Sequence, residues 1–138
     1  MIIKDLEAKI IEMLESIPEL EKVFNYYNTV YDGFPYAGVE LIQATGQKLD
    51  TSRNIRSREF GVLIFQETSI MGREDAKDLL YDLAQKVIEL CDADWTFWGL
   101  AINSEVTNIS ITDWNNAKKG KGLYLAITLT IQTLLNIK

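Results

Sequence analysis

Histidine is absent from this chain of 138 residues. That removes the commonest general base, the commonest protein metal ligand and every Ser-His or Cys-His nucleophile pair. A single cysteine, Cys91, leaves no internal disulfide, so nothing points to an oxidising compartment. Basic residues are the minority: 14 Lys and Arg against 20 Asp and Glu give a net charge of −6. This argues against a nucleic-acid binder that grips through counterion release on a basic face, though not against a protein that lets DNA slide past. The opening MIIKDLEAKIIEML lacks the charged-then-apolar layout of a signal peptide, and no apolar run reaches transmembrane length. The expectation is a soluble, unexported chain.

Catalytic signatures are missing as well. The sequence holds no Walker A, G-x-G-x-x-G, G-x-S-x-G or C-x-x-C motif. The remaining raw material is paired carboxylates, Glu74 with Asp75 and Asp92 with Asp94, which read as helix-end residues. Asp92 and Asp94 without a third oxygen cluster nearby make a poor cation site. No enzyme and no cofactor are expected.

What is present is an ordinary globular composition, 47% hydrophobic and 25% charged, sufficient for one domain with a sizeable core. The organising stretch is residues 58–67, REFGVLIFQE, with Phe60, Val62 and Ile64 on one parity and Leu63 and Phe65 on the other. Apolar residues on both parities mark a central strand buried on both faces. Helices should cover one face. A loop, a second sheet layer or another copy of the protein would cover the other.

Around it, residues 3–17 repeat Ile3, Leu6, Ile10, Met13, Leu14 and Ile17 at helical spacing, and Pro18 stops the helix. A first strand is expected near residues 22–27 and a second over 36–44, separated by the Asp32-Gly33-Phe34-Pro35 turn. Residues 45–57, TGQKLDTSRNIRS, are polar and long for a hairpin turn. They read either as a solvated loop or as an extended arm. Residues 73–91 form a second helix with Ala76, Leu79, Leu80, Leu83, Val87, Leu90 and Cys91 on its apolar stripe, and Cys91 reads as a buried structural thiol. Trp98, Leu100 and Ile102 begin the next strand, which Val106, Ile109 and Ile111 resume after Asn103-Ser104-Glu105, an interruption that suggests a bulge or bend. After the Lys-rich turn at 115–122, residues 123–135 alternate strictly and should pair antiparallel with 106–113 as a hairpin. The fold class is therefore α+β, two helices on one face of a mainly antiparallel sheet, in the order α-β-β-β-α-β-β.

Three features together carry a resemblance: Phe34-Pro35 leading into YAGVEL; Asp50-Thr51-x-Arg53-Asn54-x-Arg56 feeding REFGVLIFQE; and the second helix followed by Asp94-Trp95-Thr96 and a long hairpin. The chain resembles the tail-terminator and related neck or tail-completion proteins of long-tailed bacteriophages, of the minor tail protein U type. The resemblance spans nearly the whole chain in length and element order. It implies a virion protein, assembled in the host cytoplasm, that forms a homo-oligomeric ring, typically a hexamer, at the head-proximal end of the tail. The ring would stop tube polymerisation, meet the tail tube protein and the head–tail connector, and let DNA pass without specific binding and without a membrane. On that reading Asp50, Arg53, Asn54, Arg56 and Arg58 contact the neighbouring subunit, and Lys118, Lys119 and Lys121 meet the tail or connector. The Lys-rich turn departs from the family pattern, and facing the lumen it would weaken the non-stick argument. Two rivals are another neck or head-closure role and, in a different class, a monomeric domain using Trp95, Trp98, Trp114, Tyr26, Tyr27 and Tyr31 as a small-ligand pocket.

Overall fold

The computed structural model describes residues 2–28, 31, 33–48, 53–69, 71–93, 103–116 and 120–136. They form helix α1 (Ile2–Glu15), strands β1 (Lys22–Phe24), β2 (Tyr36–Lys48) and β3 (Arg53–Glu67), helix α2 (Arg73–Ala93), and strands β4 (Asn103–Asn116) and β5 (Gly120–Asn136). The α+β class and the expected element order hold. The five strands lie in the order β1-β2-β3-β5-β4. β1 runs parallel to β2, and every other pairing is antiparallel.

The 58–67 stretch sits where its two-sided apolar pattern requires, in the third of five strands. Phe60, Val62 and Ile64 are fully buried against the helices, with Ala37 and Val39 on one side and Leu125, Ile127 and Leu129 on the other. α1 contributes Leu6, Ile10, Met13 and Leu14, and α2 contributes Ala76, Leu80, Leu83, Val87 and Cys91. Removing this much apolar surface from water, at roughly 25 cal/mol per Å², is the main force holding helices to sheet.

Local interactions set the end of α1 and the start of α2. α1 stops two residues short of the periodicity because Ser16 turns back: its amide and its Oγ both donate to the Met13 carbonyl, at 3.2 and 2.5 Å. The Ile17 amide donates to the Leu14 carbonyl at 3.0 Å, and Pro18 disfavours continuation. Ile17 stays in the core at 3% exposure although it has left the helix. α2 is launched by Gly72, whose φ of +89° suits a residue without Cβ. Its register keeps Cys91 on the buried stripe.

Three expectations are corrected. The first strand is shorter than 22–27, because the chain leaves the sheet after Phe24. The expected strand start at Trp98, Leu100 and Ile102 lies outside the described residues; Asn103-Ser104-Glu105 pair regularly with β5, and the bulge lies further on, where Thr107 has no ladder partner between Val106 and Asn108. A second bulge, at Ile42 on β2, explains why Leu41 and Ile42 are exposed despite their strand setting. Finally, the turn taken as 115–122 narrows: β4 continues to Asn116 and β5 begins at Gly120.

Candidate assembly surfaces

Of residues 45–57, the described ones, 45–48 and 53–57, are strand and not loop. The β2–β3 ladder runs on through Thr45↔Ser57, Gly46↔Arg56, Gln47↔Ile55 and Lys48↔Asn54. β5 flanks it as a third strand, pairing Arg53 with Asn136 and Arg56 with Thr133. Polarity misleads here because the ladder satisfies the backbone whatever the side chains are. Arg53, Asn54 and Arg56 thus lie at strand positions; Asp50 lies outside the described residues. Arg58 is half-buried, and its Nη1 donates to Thr133 Oγ1 at 2.5 Å, bracing β3 against β5. Beside it on the opposite parity, Gln43 Nε2 donates to Glu59 Oε2 at 2.9 Å.

The other proposed contact is partly described. Lys118 and Lys119 fall outside the described residues, whereas Lys121 is an exposed β5 residue opposite Asn115. Lys121 borders an open cleft of about 550 Å³ with Arg73, Asp113 and Trp114. Arg73 and Asp113 form an ion pair across it, tying the start of α2 to β4.

The sheet face away from the helices is covered at one end by aromatic side chains. Tyr36 and Phe65, cross-strand partners, stack with centroids 4.8 Å apart. Trp114 and Tyr124 pack on Phe65 at 4.8 and 5.8 Å, and Phe34 meets both Tyr36 and Trp114. Phe24 and Tyr31 close over Tyr36. Tyr36 is fully buried, and its hydroxyl donates to the Asn28 carbonyl at 2.6 Å; burial raises its pKa far above the usual phenol range. A ring system packed on itself in this way is a structural layer of the sheet. Of the aromatics in the rival pocket reading, Trp95 and Trp98 lie outside the described residues, and Tyr26 is exposed.

Cys91 is buried within 4.0 Å of Met13 Sδ, and burial, with Asp92 alongside, pushes its thiol up to about 12. It is an inert core group. Among the described residues no group of three metal-ligating side chains converges, and no helix is long and apolar enough to cross a membrane.

The sequence gives little sign of the condition of the sheet edges. Among the described residues β4 is an edge strand, 14 residues long, NSEVTNISITDWNN, with neither lysine nor proline but with a bulge at Thr107. At the other side β1 covers β2 only at Tyr36–Gly38, and the Tyr27 amide reaches Glu40 Oε2 just beyond. From Leu41 to Lys48 no described strand lies outside β2. Exposed Leu41 and Ile42 stand on one edge and exposed Ile109 on the other. The sequence matches no protein-family model, and a search of curated proteins returned no match.

Proposed function

We propose that this chain is a structural subunit that assembles head to tail into a closed ring, and that the ring finishes the tail of a long-tailed bacteriophage. The observation that carries the first step is the pair of open edges. On each side of one sheet a long stretch of strand has no described strand outside it, and such a stretch can pair with another chain. Because the two edges differ, contact between them is heterologous, and such contacts close into rings when the rotation permits. The second step rests on the resemblance given above, with which the α-β-β-β-α-β-β order agrees. Function in such a subunit lies in shape, in stopping tube growth and in presenting a surface for head joining. A net charge of −6 suits a lumen through which DNA must pass without sticking.

The test is native mass across a concentration series, repeated with purified tail tubes. Discrete closed oligomers, typically hexamers, that bind the tube end support the reading. A chain that stays monomeric with and without tubes, and whose tryptophan fluorescence responds to a small-molecule panel, overturns it for the ligand-binding rival. Rings that bind the head connector but not the tube would transfer the role to head closure.

A further inference from the structure

We propose that the groove between α2 and β4 receives the basic end of the β2–β3 arm from a second copy of this chain. The inference rests on the self-assembly reading and names the surfaces that meet.

The groove holds about 490 Å³. Half-buried Ile88 and Val106 and exposed Ile109 give it an apolar floor, and the exposed carboxylates of Asp92 and Glu105 stand at its rim. Among the described residues that line it there is no lysine or arginine. The β4 bulge at Thr107 lies among its lining residues.

The arm is the electrostatic opposite. Residues 45–58 carry Lys48, Arg53, Arg56 and Arg58 against Asp50 alone, net +3, which leaves −9 for the remainder of a −6 chain. Such concentration of one sign in a protein of the other sign steers association. The complement lies on the same polypeptide but at the wrong place for an internal contact. β5 separates β3 from β4, which sets these strands about 10 Å apart, and Lys48 on β2 is one strand further still. Arm and groove therefore match between copies. The match is head to tail, as ring closure demands. A nucleic acid is a poor occupant for a groove rimmed by carboxylates, and it would meet −9 on the rest of the subunit.

Charge reversal tests this on the full chain. Arg53→Glu with Arg56→Glu, and separately Asp92→Lys with Glu105→Lys, should each weaken assembly on the order of tenfold or more in sedimentation or native mass, by juxtaposing like charges. Equimolar mixing of the two variants restores assembly, because each arm then faces a groove of opposite sign. Circular dichroism identical to wild type confirms the folds. Should a reversed pair disturb folding, Asp92→Asn with Glu105→Gln gives the same direction of change more gently. Wild-type assembly with no response to groove reversal, or no recovery on mixing, overturns the docking inference and leaves self-assembly standing. Failure of the wild type to assemble under any condition, tail tubes included, overturns both.

Discussion

Tyr36 and Phe65, neighbours on β2 and β3, lie ring over ring with an interplanar angle of 18° and centroids 4.8 Å apart on the face away from the helices. They anchor the layer that shields this end of the sheet. Phe65→Ala removes the ring on which Tyr36, Trp114 and Tyr124 all rest and should cost about 3–5 kcal/mol of unfolding free energy. Tyr36→Phe keeps the stack and loses only the bond to the Asn28 carbonyl, about 1 kcal/mol. Denaturant unfolding of both variants checks the order. Equal losses would mean that the hydroxyl, not the stack, holds the layer.

The same layer fixes Gly122. A Cβ there would lie 2.7 Å from Trp114 Cε3 and 2.8 Å from the Gln66 carbonyl oxygen, one of them backbone that cannot yield. Gly122→Ala should destabilise by about 1–3 kcal/mol through overpacking. Thermal unfolding is the measurement, and an unchanged midpoint would mean that Trp114 moves aside freely.

These two faces show what the sequence did and did not disclose. The helix-facing side was legible because Phe60, Val62, Ile64 and the alternation from Leu123 to Ile131 record burial directly in residue type. The opposite side was not, since its cover comes from Phe24 at the end of the short edge strand and from Tyr31 and Phe34 outside the strands. The arm was legible only as a choice between loop and strand, because a run of polar residues carries no apolar period-2 signal. Edge status follows from strand order, which short-range patterns do not encode. The absence of lysine and proline from β4 was on view, but it acquires meaning only once β4 is known to be an edge.

Alkaline pH should unfold this protein earlier than its carboxylates would suggest. Burial raises the Cys91 thiol from 9.0 to about 12, and raises Tyr36 and Tyr27 above their usual value, with Glu40 adding to the effect at Tyr27. In each case the unfolded chain releases its proton first. The contribution to stability is thus full below the unfolded pKa and falls as pH climbs towards the folded one. For Cys91 that window runs from about 9 to about 12. Unfolding free energy measured at pH 8, 9 and 10 should decline, and Cys91→Ala, although less stable throughout, should decline less steeply. A thiol reagent should label Cys91 at the global unfolding rate.

Arg73 and Asp113 supply a contrast in magnitude. Their ion pair joins α2 to β4, yet the side chains are 63% and 76% exposed. Water and salt screen such a pair, so Asp113→Asn should change stability by no more than about 0.5 kcal/mol. A larger loss would indicate that the pair orders the start of α2 and not only decorates it.

Arg53 and Arg56 should behave in the opposite way, with little effect on folding and a large one on assembly. Both lie on the three-stranded arm, where the backbone ladder, and not the side chain, specifies the strand. Arg53→Ala with Arg56→Ala should therefore leave the monomer's circular dichroism and unfolding midpoint unchanged while weakening the ring. Ionic strength separates the charge contribution from apolar burial. The screening length shrinks from about 10 Å at 0.1 M salt to about 3 Å at 1 M, so wild-type assembly should weaken across that range. The alanine variant should show a flatter dependence, because the charges being screened are gone. Assembly that strengthens with salt in both proteins would place the association on Leu41, Ile42 and Ile109 at the sheet edges, and would remove the arm's cations from the interface.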